Sequence, residues 1–180
     1  MNYGWVRRAS ALAMVAVLAG PLAACDRGTA APDETAAQNL RAAEFFLTSN
    51  ARIEGVKSLP SGVQYKVVQS GPPGGEHPDR NDLVRVDYEG TLTDGTVFDS
   101  SFQNGQPAVF TVSDVVPGWT EVLQEMRVGD EWIIYLPPAL GYGEQGRPGI
   151  PPNSVMVFRL KLLAIARTPG GERGGAIAEG

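Results

Sequence analysis

VDYEGTLTDGTVFDSSFQNGQPAVFTVSDVVPGW, residues Val86–Trp119, and LPPALGYGEQGRPGIPPNSVMVF, residues Leu136–Phe158, are the two stretches around which the chain is organised. They carry aromatic residues at scattered rather than periodic positions: Tyr88, Phe98, Phe110, Trp119, Tyr142 and Phe158. If these converge they form an apolar aromatic pocket with one carboxylate, Asp99, at its wall. Such a pocket suits a small uncharged ring better than a nucleotide or a metal ion.

The flanking segments supply the frame. Val63 to Gln69 alternates as a strand, with Val63, Tyr65 and Val67 on one face. Gly71 to Gly75 breaks the chain. Asp82 to Leu92 is the next strand, facing inward through Val84, Val86 and Tyr88. Thr93-Asp94-Gly95-Thr96 is a hairpin turn, because Asp-Gly tolerates positive φ. Val97 to Asp99 begins the return strand, Ser100 to Pro107 is an irregular bulge, and Ala108 to Val112 resumes strand character. Pro117-Gly118 leads into a short helix, Trp119 to about Met126, with Val122, Leu123 and Met126 as its buried stripe. Glu131 to Leu136 and Ser154 to Ala166 complete the strands, and the long Gly/Pro loop between them, Pro137 to Asn153, is of a length that usually carries function. Several strands, one short helix and no βαβ rhythm predict an α+β domain with an antiparallel sheet.

Upstream, Asp33 to about Arg52 predicts a helix, with Ala36, Leu40, Ala43 and Leu47 at helical spacing and Gly55 as its stop. Residues 1–25 read as an export signal. Arg7 and Arg8 precede the apolar run Ala11 to Ala19, which is too short for a membrane span of about 20 residues. Leu22-Ala23-Ala24-Cys25 resembles a bacterial lipobox and places the chain's one cysteine at the lipidation point. Residues 26–60 comprise a tether and this helix. From residue 167 the tail, to 180, is too poor in apolar residues to order itself.

Composition narrows the function. With 180 residues and a net charge of −5, −7 without Arg7 and Arg8, there is no nucleic-acid footprint. One histidine leaves a His-based triad or a multi-His metal site without parts, and no cofactor is expected. Gly141-x-Gly143-x-x-Gly146 matches a dinucleotide fingerprint on paper, but Pro148, Pro151 and Pro152 prevent a helix from opening there. The glycines more simply let the loop fold over the pocket mouth.

The phrases Val86 to Leu92, Asp94-Gly95, Phe98-Asp99-Ser100-Ser101, Pro117-Gly118-Trp119, Gly141-Tyr142-Gly143 and Ile150-Pro151-Pro152-Asn153 resemble, in order and nearly in spacing, the FKBP-type peptidyl-prolyl cis–trans isomerases. The resemblance covers residues 61–166. The upstream phrases Phe46 to Ala51, Glu54 to Lys57 and Ser61 to Val67 resemble the bacterial exported subfamily of the macrophage infectivity potentiator and its periplasmic relatives. The resemblance implies a twisted sheet wrapped round the short helix, with the pocket between them. It implies that Trp119 is the floor on which a proline ring sits, that Asp99 polarises the substrate amide, and that the Tyr142 hydroxyl donates to the substrate carbonyl. Tyr88, Phe98, Phe110, Val115, Val116, Ile150 and Phe158 are carried over as lining residues.

Five features of this chain stand out. Asn104 occupies the place where relatives often hold an arginine near the aspartate. The two serines after Asp99 are candidate caps for it. Ala108 replaces an aromatic residue, which widens that wall, and a single isoleucine precedes Pro151. The subfamily often carries a dimerisation helix where Asp33 to Arg52 falls, but about 20 residues are far fewer than those long arms, which favours a helix packed on its own domain. The partners implied are proline-containing polypeptides, tacrolimus-like macrolides, and a membrane reached through a lipid on Cys25 and faced from the periplasm. The alternatives are a non-catalytic holding chaperone and a surface interaction module on the same fold.

Overall fold

The computed structural model describes residues 32–168. Helix α1, Pro32–Asn50, is followed by strands β1, Val56–Ser58, and β2, Gln64–Gln69. The long strand β3, Leu83–Leu92, turns back into β4, Val97–Ser100, and β5, Ala108–Thr111. Helix α2, Pro117–Glu125, then leads to β6, Glu131–Leu136, and β7, Met156–Ala166. The seven strands form one antiparallel sheet in the order β1-β2-β6-β7-β3-β4, with β5 also paired to β3. The α+β expectation is met.

Strand β3 organises the sheet because its side chains alternate. Val84 and Val86 are fully buried and Tyr88 nearly so, while Leu83 and Arg85 face outward. One edge of β3 pairs along its length with β7. The other edge is divided: β5 takes Leu83 to Val86 and β4 takes Glu89 to Thr91. The break between them is the bulge. Its near end is held by Ser101, whose backbone N–H donates to the Tyr88 carbonyl at 2.9 Å and whose hydroxyl accepts the Tyr88 N–H at 2.9 Å. A side-chain oxygen thus replaces the backbone partner that an unbroken strand would offer. The Asp94-Gly95 turn forms as predicted, with Gly95 at φ 87°.

Helix α2 lies against the inner face of the sheet. Pro117 occupies its first turn, where a missing N–H costs nothing. Val122, Leu123 and Met126 are completely buried, as the stripe predicts, among Val63, Ile134, Leu136, Leu160 and Leu162. Each such aliphatic side chain contributes roughly 1.5–3 kcal/mol on burial. The approach is close at Gly118, where an added Cβ would lie 2.6 Å from Leu136 Cδ2.

Charges pair across part of the outer face. Across the strands Asp87 stands opposite Lys161, Glu89 opposite Arg159, and Lys161 opposite Glu131. Glu131, nearly buried, also bonds the Arg159 guanidinium. Opposed charges on neighbouring strands stabilise the pairing.

Three expectations are corrected. Val67 does not continue the inward face of Val63 and Tyr65; it is 37% exposed, because a register shift against β6 between Val67 and Gln69 carries β2 past the edge of the core. The helix stops at Asn50 rather than Arg52, since the Asn50 side chain turns inward to donate to Gln64 Oε1 at 2.8 Å. Arg167 and Thr168 belong to the ordered body, not to the tail. Arg167 pairs with Glu76, Asp79 and Asp82, and the Thr168 N–H donates to Asp82 Oδ1 at 3.1 Å. Burial alone would raise the Asp82 pKa, but the N–H groups of Asp79 and Thr168 together with Arg167 outweigh it and hold the carboxyl below its ordinary range. The export signal with Cys25, the tether as far as residue 31, and residues 169–180 lie outside the described residues.

Helix α1 packs on its own domain. Asn39 Nδ2 donates to the Pro152 carbonyl at 2.8 Å, and Asn153 Nδ2 donates to the Ala36 carbonyl at 3.0 Å. Gln64 Nε2 donates to the Leu47 carbonyl at 2.8 Å, and the ring of Phe46 meets Tyr135 at 6.1 Å.

Candidate active site

A cavity of about 440 Å³ opens between α2, the inner face of the sheet and the 137–153 loop. Its floor is Trp119, 4% exposed, in the first turn of α2. Three rings stand nearly perpendicular to the Trp119 ring or its edge: Tyr88 at 5.2 Å and 87°, Phe110 at 5.9 Å and 90°, and Phe158 at 5.1 Å and 80°. Edge-to-face pairs of this kind exploit the ring quadrupole and add about 0.5–1.5 kcal/mol each beyond burial. Phe98 packs edge-on to Phe158 at 5.5 Å and 88°. This cage depends on Gly90, where a Cβ would fall 2.7 Å from both the Phe98 and the Phe158 rings.

The polar groups stand at the wall. Asp99 lies opposite Gly90 in the β3–β4 register, on the inward face that Tyr88 shares. The Tyr88 hydroxyl donates to Asp99 Oδ2 at 2.8 Å. Burial, then this hydrogen bond and the negative charge of Asp99, raise the Tyr88 pKa well above its ordinary value of 10. The phenol therefore stays protonated and remains a donor. The two serines do not cap Asp99. Ser101 is engaged with the Tyr88 backbone, and Ser100 Oγ is buried without a hydrogen-bond partner. The carboxylate's partner comes instead from the neighbouring strand, and Asn104 lies exposed in the bulge beyond it.

Of the residues expected to line the pocket, Tyr88, Phe98, Asp99, Phe110, Val115, Val116, Trp119, Tyr142 and Phe158 are brought together. Ile150 is the exception. It is 3% exposed and packs into the core, while its backbone pairs with Arg147 beside the pocket. It is not among the residues that line the cavity. Ala108 is likewise absent from the lining and packs against the core.

Two lining residues escaped the sequence reading, Asp114 and Arg147. Asp114 closes a 3-10 turn, Val112–Asp114, ahead of α2. Arg147 sits five residues beyond Tyr142. Its Nη1 donates to the Tyr142 hydroxyl at 2.6 Å, and its guanidinium carbon lies 4.9 Å from the Tyr142 ring centroid. An arginine inside a Gly/Pro loop has no periodicity to betray it; only the short separation from Tyr142 was available as a signal.

The loop glycines shape the turn. Gly146, at φ 59°, receives no side chain because a Cβ there would meet the Ile150 carbonyl oxygen at 2.4 Å. Among the described residues no group of three His, Cys, Asp or Glu side chains could hold a metal ion, and no helix is long and apolar enough to cross a membrane.

Residues 74–163 match the family model described as FKBP-type peptidyl-prolyl cis-trans isomerase. Residues 14–67 match that of the domain amino terminal to it. The chain is 49% identical over 135 residues to an FKBP-type peptidyl-prolyl cis-trans isomerase FkpA of Aeromonas hydrophila, covering 75% of this chain and 50% of the relative. It is 42% identical over 136 residues to the outer membrane protein MIP of Legionella longbeachae, covering 75% and 58%. A crystal structure of a peptidyl-prolyl cis-trans isomerase from Pseudomonas syringae superposes with a TM-score of 0.69 at 36% identity, covering 78% of this chain and all of that one. The chain spans about half the length of the curated relatives it matches. An aromatic cage floored by Trp119, walled by the Tyr88–Asp99 pair and faced by Tyr142, on a sheet wrapped round one helix, agrees with these matches: the chain belongs to the FKBP-type peptidyl-prolyl cis-trans isomerase family.

Proposed function

We propose that the protein accelerates cis–trans isomerisation of X–Pro bonds in exported polypeptides. The observation that carries this is the Trp119 floor ringed by three edge-on aromatics, with the Tyr88–Asp99 pair and Tyr142 at the wall. An X–Pro bond prefers trans only slightly yet crosses a barrier of about 18–20 kcal/mol, because rotation breaks amide resonance. Midway the C–N bond is nearly single, the carbonyl is less polar and the nitrogen more basic. A dry aromatic cage disfavours the planar, more polar amide relative to this twisted state. Asp99 faces the rotating amide and the Tyr142 hydroxyl holds the substrate carbonyl, so the twisted geometry is bound more tightly than either planar one. No covalent bond is made or broken. A barrier lowered by about 7 kcal/mol corresponds to roughly 10⁵-fold acceleration.

The substrates in this reading are proline-containing chains folding outside the cytoplasm, where uncatalysed isomerisation takes tens of seconds or more. A tacrolimus-like macrolide would occupy the same cage. Lipid on Cys25 would hold the domain at a bacterial membrane, facing the periplasm. The lipobox-like Leu22-Ala23-Ala24-Cys25 supports that location, as does the envelope name of one relative.

The test follows cis-to-trans conversion of a short Leu-Pro peptide by the full-length protein in mild detergent, with and without tacrolimus, beside Asp99→Ala and Tyr142→Phe. Acceleration that the macrolide blocks and both substitutions weaken is expected. A folded protein that gives no acceleration would overturn the proposal. Separately, absence of lipid label at Cys25 would overturn the anchoring and leave the activity untouched.

A further inference from the structure

We infer that Arg147 is a positioning residue for the Tyr142 hydroxyl: it fills an acceptor site on the phenol oxygen and so directs the phenol proton toward the substrate. The inference rests on the isomerase reading above and assigns a role within the same site. A guanidinium carries only donors. In the 2.6 Å contact between Arg147 Nη1 and the Tyr142 hydroxyl, the phenol oxygen must therefore be the acceptor. The Tyr142 proton is excluded from that side and must be donated elsewhere. Asp99 Oδ2 bonds Tyr88, and among the described residues the Tyr142 hydroxyl donates to no protein acceptor. Its proton is thus available to a carbonyl placed in the cage.

The geometry holds this arrangement without a buried charge. Arg147 donates its backbone N–H to the Ile150 carbonyl at 2.9 Å and accepts the Ile150 N–H at 2.8 Å, which fixes where its side chain starts. The Gly146 N–H donates to the Tyr142 carbonyl at 3.1 Å, which ties the two residues into one turn. The guanidinium then lies against the Tyr142 ring, 4.9 Å from its centroid, where the ring's negative face attracts a cation. A donor hydrogen-bonded to the oxygen of an O–H group also polarises it, so the phenol becomes a stronger donor to the next group in the chain. Arg147 would therefore act on the step in which the carbonyl is held during rotation, rather than on capture of the proline ring by the cage.

A double-mutant cycle on the full-length protein tests this, using the Leu-Pro peptide and the variants Arg147→Ala, Arg147→Lys, Tyr142→Phe and Arg147→Ala/Tyr142→Phe. Arg147→Ala is expected to lower kcat about fivefold with KM nearly unchanged. The same substitution should have almost no effect once Tyr142 is phenylalanine, and Arg147→Lys should recover part of the loss. An Arg147→Ala loss of equal size in both backgrounds would overturn the inference, because Arg147 would then act without Tyr142. So would full activity in Arg147→Ala. A readout independent of activity is the ¹⁵Nη–¹H signal of the Arg147 guanidinium, slowed in exchange by its bond and expected to vanish in Tyr142→Phe. If that signal survives in Tyr142→Phe, the bond is not formed and the inference fails while the isomerase reading stands. A wild-type protein with no isomerase activity and an intact signal would instead remove the reading on which the inference rests.

Discussion

On the sheet side of the pocket, Tyr88, Asp99 and Phe158 hang from strands paired along β3, and Trp119 rises from a helix whose stripe is fully buried. On the loop side, Tyr142 and Arg147 ride on a segment with no strand neighbour, held by turn hydrogen bonds and one isolated bridge between Arg147 and Ile150. The Gly143 N–H donates to the Pro138 carbonyl at 2.9 Å, and the Asn153 N–H donates to the Gly143 carbonyl at 2.8 Å. From outside, α1 braces the same segment through Asn39 on Pro152 and through Asn153 on Ala36. A ladder spreads each side chain's position over many hydrogen bonds, so disturbing it disturbs the whole domain. Point contacts fail one at a time and locally. Sheet-wall substitutions should therefore cost stability and activity together, and loop-wall substitutions should cost mainly activity.

The largest effect is expected from Gly90→Val on the sheet wall. The added side chain must displace the rings of Phe98 and Phe158. Overpacking of this kind costs about 1–3 kcal/mol. The thermal midpoint should fall by roughly 5–10 °C, with loss of most isomerase activity. Scanning calorimetry with the peptide assay checks both, and an unchanged midpoint with full activity would mean that the cage is softer than its geometry implies.

Next is Asn153, on the loop wall. It is buried and adopts φ 55°, the one non-glycine positive φ among the described residues. Asn153→Ala removes the bond to α1 and places a less suitable residue at that φ, whereas Asn153→Gly removes the same bond but relieves the backbone. A buried hydrogen bond is worth about 0.5–1.5 kcal/mol. Activity is expected to fall about three- to tenfold in both variants, with a drop in thermal midpoint in both that is larger for the alanine. Equal midpoints with unaltered activity would show that α1 does not brace the loop.

The smallest effect is expected from Asn104→Arg. Asn104 is exposed in the bulge, and the Asp99 carboxylate already accepts from Tyr88. An exposed substitution of this kind stays within about ±0.5 kcal/mol in stability, and activity should change less than about twofold. A large gain in kcat/KM would reveal that Tyr88 alone does not hold Asp99 in place.

The parts of the site legible beforehand were those written in local pattern. The alternation of Val84, Val86 and Tyr88 placed Tyr88 inward, and the helical stripe of Val122, Leu123 and Met126 oriented Trp119. Ile150 misled because its lining role was carried over from the resemblance alone, whereas its side chain is buried in the core and its backbone pairs with Arg147. Ser100 and Ser101 misled because closeness in sequence to Asp99 is not closeness in space: across a strand pair the nearer neighbour of Asp99 is Tyr88, eleven residues away. Arg147 was invisible because nothing in a loop's composition states which way an arginine will fold.

The members of the cage were legible only through the resemblance of ordered motifs; periodicity and turn chemistry by themselves determined the α+β class, the hairpin at Asp94-Gly95 and the buried stripe of α2. These depend on neighbours a few residues apart, where backbone geometry links sequence spacing to direction. Tertiary structure alone decided the rest. The partners of Asp99 and Tyr142, the burial of Ile150 in the core, the anchoring of Arg167 on Asp82 and the bracing of the loop by α1 all join segments set side by side only by the packed sheet. Hydrogen bonds between such segments depend on distances of a few tenths of an ångström, and no local pattern encodes them.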